Sequence, residues 1–156
     1  MFKFLFIIIL VLLPIKVGVD IQKKMHNRKK NLKELDTFFS NVKREVIFSK
    51  RKISEIFYEN LPCLSGRLRQ DFEDNLTSLP EIGLYEFFNK LNIDSNDKKL
   101  LLSFADGIPK HEESFDNLLK LLEENYHVAN NIYKQNGKLY RSIGLASGLI
   151  LGILFI

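Results

Sequence analysis

Residues 142–156 read Ser-Ile-Gly-Leu-Ala-Ser-Gly-Leu-Ile-Leu-Gly-Ile-Leu-Phe-Ile, a stretch without charge in which nine of the fifteen side chains are Leu, Ile or Phe. On an insertion scale nine such side chains favour the bilayer by roughly 3–5 kcal/mol together, whereas one buried Lys or Arg costs about 3 kcal/mol. The run therefore reads as a membrane segment. Gly144, Gly148 and Gly152 recur every four residues. On a helix they share one face and bare its backbone, the small-xxx-small pattern through which membrane helices pack closely. This face is the predicted helix-packing site. Fifteen helical residues rise only about 22 Å against a hydrocarbon core of about 30 Å. Leu139 and Tyr140, with Arg141 snorkelling to the headgroups, bring a C-terminal transmembrane helix over residues 139–156 to the lower limit for spanning. The competing reading is an apolar helix that caps a soluble core.

A second apolar run, Phe-Leu-Phe-Ile-Ile-Ile-Leu-Val-Leu-Leu-Pro-Ile, occupies residues 4–15. It is short enough for the core of a signal peptide, but Lys16-Val17-Gly18-Val19-Asp20 offers no Ala-x-Ala-like cleavage site, which favours an uncleaved anchor. Pro14 is expected to kink this helix near its end, and Gly18 lets it extend to Val19 as an N-terminal transmembrane helix over residues 1–19. Seven Lys or Arg stand between Lys16 and Lys33, and Lys134, Lys138 and Arg141 precede the last segment. By the positive-inside bias the middle, residues 20–138, is cytoplasmic and both termini face out. The formal charge of +4 is accounted for by these flanks, so no nucleic-acid partner is expected. The single cysteine, Cys63, rules out an intramolecular disulfide and a Cys-rich metal site.

The middle carries a helical period and almost no strand signal. Leu32, Leu35, Phe39, Val42, Val46, Ile53 and Ile56 follow the 3-4 alternation of a long arm, interrupted at Ser49. Leu61-Pro62 ends it, because the residue before a proline is pushed out of the helical region. Leu64, Leu68, Phe72 and Leu76 predict a short helix, and Leu79-Pro80 starts another through Leu84, Phe87, Phe88 and Leu91. Ser95 is the expected cap of a helix with Leu101, Phe104 and Ala105 that stops around Gly107 and Pro109. The last begins near Glu112 and places Phe115, Leu119, Leu122, Tyr126, Ala129 and Tyr133 on one seam, with an interruption expected near Asn136-Gly137. The predicted fold class is all-α: a cytoplasmic helical bundle between an N-terminal and a C-terminal transmembrane helix.

Catalytic chemistry has no evident seat. The chain holds no phosphate-cradling Gly-x-x-x-x-Gly-Lys-Ser/Thr stretch, no Gly-x-Ser-x-Gly and no His-Glu-x-x-His. Glu124-Asn125-Tyr126-His127 fits the Glu-x-x-His element of di-iron bundles, but His26 and His111 have Lys23 and Ile108 three positions earlier, where a second pair needs glutamate. No metal, cofactor or catalytic residue is therefore expected. Asn75-Leu76-Thr77 has the form of a glycosylation acceptor, without consequence for a cytoplasmic domain.

Three stretches resemble the stage III sporulation protein AB family, whose soluble region is similar to the helical domains of type II secretion F and pilus platform proteins. Leu32-x-x-Leu35, Arg44-Glu45-Val46-Ile47-Phe48 and Ile53-Ser54-Glu55 look like the family's Leu-rich arm, with Lys52 where that family has proline. Phe104-Ala105-Asp106-Gly107-Ile108-Pro109-Lys110-His111-Glu112 looks like its Phe-Gly-x-x-Leu-Gly-x-x-Asp, with Pro109 in place of glycine, Glu112 in place of aspartate, and Asp116 where a glutamine is typical. Tyr140-Arg141-Ser142-Ile143-Gly144-Leu145-Ala146-Ser147-Gly148-Leu149 looks like its Tyr-x-x-Leu-Gly-x-x-x-Gly-Leu entry to the last membrane helix. The resemblance implies a non-enzymatic membrane component of the channel-like complex between mother cell and forespore. It implies a place in the mother-cell membrane, and as partners a secretion-type sporulation ATPase and other stage III channel proteins; homo-oligomerisation is left open. The alternative function is a membrane-anchored helical sensor or signalling protein.

Overall fold

The 3-4 spacing of apolar residues produces helices throughout a computed structural model that describes residues 2–49, 51–107 and 112–155, with the side chains of residues 2–7, 10 and 155 excepted. In chain order these are α1 (Phe2–Phe48), α2 (Ile53–Asn60), a single 3-10 turn (Leu61–Cys63), α3 (Gly66–Leu76), α4 (Leu79–Lys90), α5 (Ser95–Asp106) and α6 (Glu112–Phe155). No strand occurs among the described residues, so the fold class is all-α. The chain divides into two units: Met1–Lys29 with Val128–Ile156, and Lys30–His127. Among the described residues no helix is long and apolar enough to cross a membrane. Five of the twelve residues of the expected first anchor, 4–15, lie outside the described side chains, and Ile156 lies outside the described residues altogether.

The Lys30–His127 unit is built on phenylalanine. Phe38, Phe39, Phe57, Phe72, Phe87 and Phe88 are fully buried, and Phe104 and Phe115 nearly so. Their rings meet edge to face: Phe38 on Phe57 at 5.1 Å, Phe72 on Phe87 at 5.2 Å and Phe104 on Phe115 at 5.0 Å between centroids. Such pairs each contribute about 0.5–1.5 kcal/mol beyond the area they bury. Leu32, Leu35 and Val42 of α1 complete the core on one side and Leu118 and Leu122 of α6 on the other. The expected arm seam holds at Leu32, Leu35, Phe39 and Val42, but Phe38 beside it is equally buried, because a core-facing helix offers a stripe wider than a two-residue seam. On α6 Leu118 is buried where the seam was placed on Leu119, which is only half-buried.

The breaks have local causes. α1 ends at Phe48, and Arg51 in the following link donates to Glu59 on α2 at 2.8 Å and lies 3.7 Å from Glu45 at the end of α1. Asn60 ties the same corner by donating to Glu45 at 2.9 Å. α4 is divided at Gly83, whose φ of 77° lies in the left-handed region that only glycine enters freely. The cap of α5 is Asp94, whose side chain accepts from the Asn96 N–H at 3.1 Å, and not Ser95 as expected. A carboxylate one position earlier meets the orphan N–H groups of the first turn and suits the positive end of the helix dipole. Gly107 follows the helix with φ −68°, so its left-handed freedom goes unused there; Pro109 and the rest of 108–111 lie outside the described residues.

The interruption expected near Asn136-Gly137 does not occur, since α6 is helical through both. Gly137 is buried, and a Cβ there would come within 3.2 Å of the Tyr133 ring. Packing selects glycine at that position and overrides its roughly 1 kcal/mol helical penalty. α1 likewise includes Pro14 without ending there.

Candidate functional site

The unit formed by Met1–Lys29 and Val128–Ile156 is an antiparallel pair of helical segments. From one end to the other, Tyr133 meets His26 at 5.4 Å between centroids, Gly144 faces Gly18, and Gly148 faces Val11. Glycine sets how near the backbones come. A Cβ built on Gly18 would lie 2.6 Å from the Tyr140 carbonyl oxygen and 3.3 Å from the Gly144 Cα. A Cβ on Gly144 would lie 2.7 Å from the Pro14 carbonyl oxygen, and one on Gly148 would lie 2.7 Å from that of Val11. Gly152 is looser: its Cβ would meet only the Val11 side chain, at 3.1 Å. The three glycines read from the sequence thus face α1, two of them against carbonyl oxygens that cannot give way without moving the helix. Gly18 belongs to the same contact. In the sequence it passed as a neutral residue in an apolar run; the signal that could have found it is its place four residues after Pro14, on one helical stripe with Val11.

Burial in this unit runs opposite to that in the other. Gly18, Gly137, Gly144 and Gly148 are buried, while Ile8, Ile9, Leu12 and Leu13 of α1 and Leu149, Ile150, Ile153 and Leu154 of α6 are 52–76% exposed. The unit's sequence holds nine Lys or Arg against one carboxylate, Asp20, whereas residues 30–127 hold fourteen against eighteen Asp or Glu. At the basic end, Lys29 places its ammonium 4.8 Å from the centre of the Tyr133 ring, a cation–π contact.

The Lys30–His127 unit offers a groove of about 450 Å³ whose lining includes Arg51, Tyr58, Glu59, Glu73 and Pro80. Tyr58 is 69% exposed on it. Hydrogen bonding to Arg51 holds the Glu59 carboxyl below the ordinary carboxylate value and, mutually, Glu59 raises the guanidinium. Lys43 on α1 donates to Asp116 on α6 at 2.6 Å and lies 3.2 Å from Glu112; the hydrogen bond to Asp116 is the main cause of its raised pKa.

The histidines do not converge. His127 lies 3.7 Å from Glu123, one turn back, and not on Glu124, while His26 meets the Tyr133 ring at a tilt of 55° and His111 is outside the described residues. No group of three metal-ligating side chains occurs among the described residues. Asn75 of the acceptor-like triplet donates within its own helix to the Asp71 carbonyl at 2.8 Å. Cys63 is half-buried and its sulfur accepts from Asn41 at 3.2 Å.

A family model described as stage III sporulation protein AB matches residues 3–156. No curated protein and no solved structure matches the chain.

Proposed function

The chain belongs to the stage III sporulation protein AB family, and from that premise we propose that it is a membrane-anchored, non-enzymatic platform in the third stage of spore formation. The family membership carries the sporulation role. The observation that carries the membrane anchor is the inverted burial of the glycine-clamped unit: glycine inside, leucine and isoleucine outside. In water that arrangement forfeits most of the available apolar burial, at about 25 cal/mol per Å². In a bilayer the outward side chains lose nothing, and close backbone contact is the association force that remains. The basic excess of the same unit supports, by the positive-inside bias, a charged end at the cytoplasmic surface, with the Lys30–His127 unit on the mother-cell cytoplasmic side.

On this reading the helical unit is a docking body for a secretion-type ATPase and neighbouring channel proteins. Its rigid phenylalanine core and the groove beside α2 support that role. A membrane-anchored sensor would use the same paired helices, but its sensing part would usually face outward, against the charge bias. The test is Gly148→Ile beside Ile150→Leu in sporulating cells. Gly148→Ile drives a branched side chain into the Val11 carbonyl and is expected to abolish co-purification of neighbouring components and late sporulation while the protein still accumulates in membranes; Ile150→Leu, on an exposed position, changes neither. Normal spores with Gly148→Ile would reduce the hairpin to a plain anchor.

A further inference from the structure

Beside the glycine contact, within the same unit, runs a groove of about 480 Å³ lined chiefly by Leu13, Val17 and Ile21 of α1 and Ile143, Ser147 and Leu151 of α6. Its size suits a small ligand, and its wall is mostly apolar, with Tyr140 and Ser147 the residues on it that carry a hydroxyl. The α1 side of that wall is a single helical stripe. Continuing it past Ile21, the same face carries Lys24, Met25 and Arg28, three, four and seven positions on. An apolar trough thus leads into a pair of cations, Lys24 exposed and Arg28 half-buried.

We propose that this groove holds one acyl chain of an anionic phospholipid whose phosphate is met by Lys24 and Arg28. The trough matches a hydrocarbon chain, and the cations match the headgroup. The unit's charge, nine Lys or Arg against Asp20 alone, selects an anionic headgroup over a zwitterionic one, since each cation near an anionic lipid surface adds attraction of about the same size. Asp20 stands four residues before Lys24 and weakens the site. The inference rests on the membrane reading above and adds a defined occupant to it.

The test is native mass spectrometry of the full chain, released from membranes in mild detergent and offered equal amounts of phosphatidylglycerol and phosphatidylcholine. The wild type retains one phosphatidylglycerol in preference. Lys24→Gln with Arg28→Gln lowers that preference by roughly tenfold or more, Asp20→Asn raises it, and Ser147→Leu, which fills the groove, lowers retention of both lipids. Lys134→Gln with Lys138→Gln removes the same charge from positions off the lining face of α6 and lowers the preference far less. Equal loss in both double variants would overturn the site in favour of diffuse charge attraction. Equal retention of the two lipids, a lipid-free monomer, or a lipid-free dimer whose second copy fills the groove would each overturn it too. Alkaline extraction of the same membranes separates the failures: a chain that stays in the bilayer without preferring the anionic lipid loses only this site, whereas a chain released by carbonate loses the membrane reading as well.

Discussion

Gly18 and Gly144 face each other so closely that a methyl group on either would stand 3.3 Å from the other's Cα and within 2.7 Å of a carbonyl oxygen on the opposite helix. Contacts under 3 Å to backbone cannot be relieved by a side-chain rotation, so the two segments must separate. Gly144→Ala is therefore expected to loosen the pair at a cost of about 1–3 kcal/mol, the usual range for overpacking. Gly152→Ala, which meets only a Val11 methyl at 3.1 Å, should cost well under half of that. Melting temperatures of the two full-length variants in one detergent check the order. Equal melting of both would show that the glycine contact does not set the distance between the helices.

Phe38 touches three rings, those of Phe39, Phe57 and Phe72, and is fully buried. Phe38→Ala should lower the stability of the helical unit by about 3–5 kcal/mol, transfer and cavity contributions together. Val46→Ala, at a half-buried position of the same helix, should cost far less. Loss of helical circular dichroism on heating gives the comparison, and similar midpoints would contradict the phenylalanine core.

Two surface ion pairs give opposite pH signatures. The Glu59 carboxyl titrates below its ordinary 4.5 because Arg51 hydrogen-bonds its charged form. Its contribution is full above that ordinary value and disappears as pH falls through the lower, folded value. Lys43 titrates above its ordinary 10.5, chiefly through its hydrogen bond to Asp116, so its contribution is full below 10.5 and disappears as pH rises through the folded value. The difference in melting temperature between wild type and Arg51→Gln should thus shrink on the acid side, and that between wild type and Lys43→Met should shrink on the alkaline side as the ammonium loses its proton. Both effects are small for such exposed groups and weaken with salt. A Lys43→Met difference that stays unchanged as pH rises from neutrality through the folded lysine value would contradict the assignment.

Much of this arrangement was legible in the residues. The break at Ser49 and the start at Glu112 depend on local chemistry and are element boundaries in the structure, whereas Leu61 keeps a helical φ of −50° and ψ of −34° before Pro62, so α2 tightens into a 3-10 turn there instead of stopping. What escaped depends on what lies across space. Gly18 gains its meaning from the Tyr140 carbonyl opposite, and Gly137 from the Tyr133 ring and Gln22 side chain packed over it, 3.2 and 3.7 Å from where a Cβ would stand. Phe38 and Phe57 sit beside residues already assigned to a seam, and only the surrounding rings show that both positions of each pair are interior. The cap of α5 was displaced by one residue because Asp94 and Ser95 are both good caps, and the choice falls to the backbone that places one side chain over the first turn.

The account stands or falls on the inverted burial of the glycine-clamped unit, and the direct measurement is alkaline carbonate extraction of membranes from cells making the full chain. The prediction is that the protein stays with the membrane pellet, as an integral protein does, with Gly144→Ala and the wild type alike. Recovery of the wild-type chain in the carbonate supernatant would contradict the membrane hairpin, and the exposed leucines and isoleucines would then have to be covered by another protein instead of lipid.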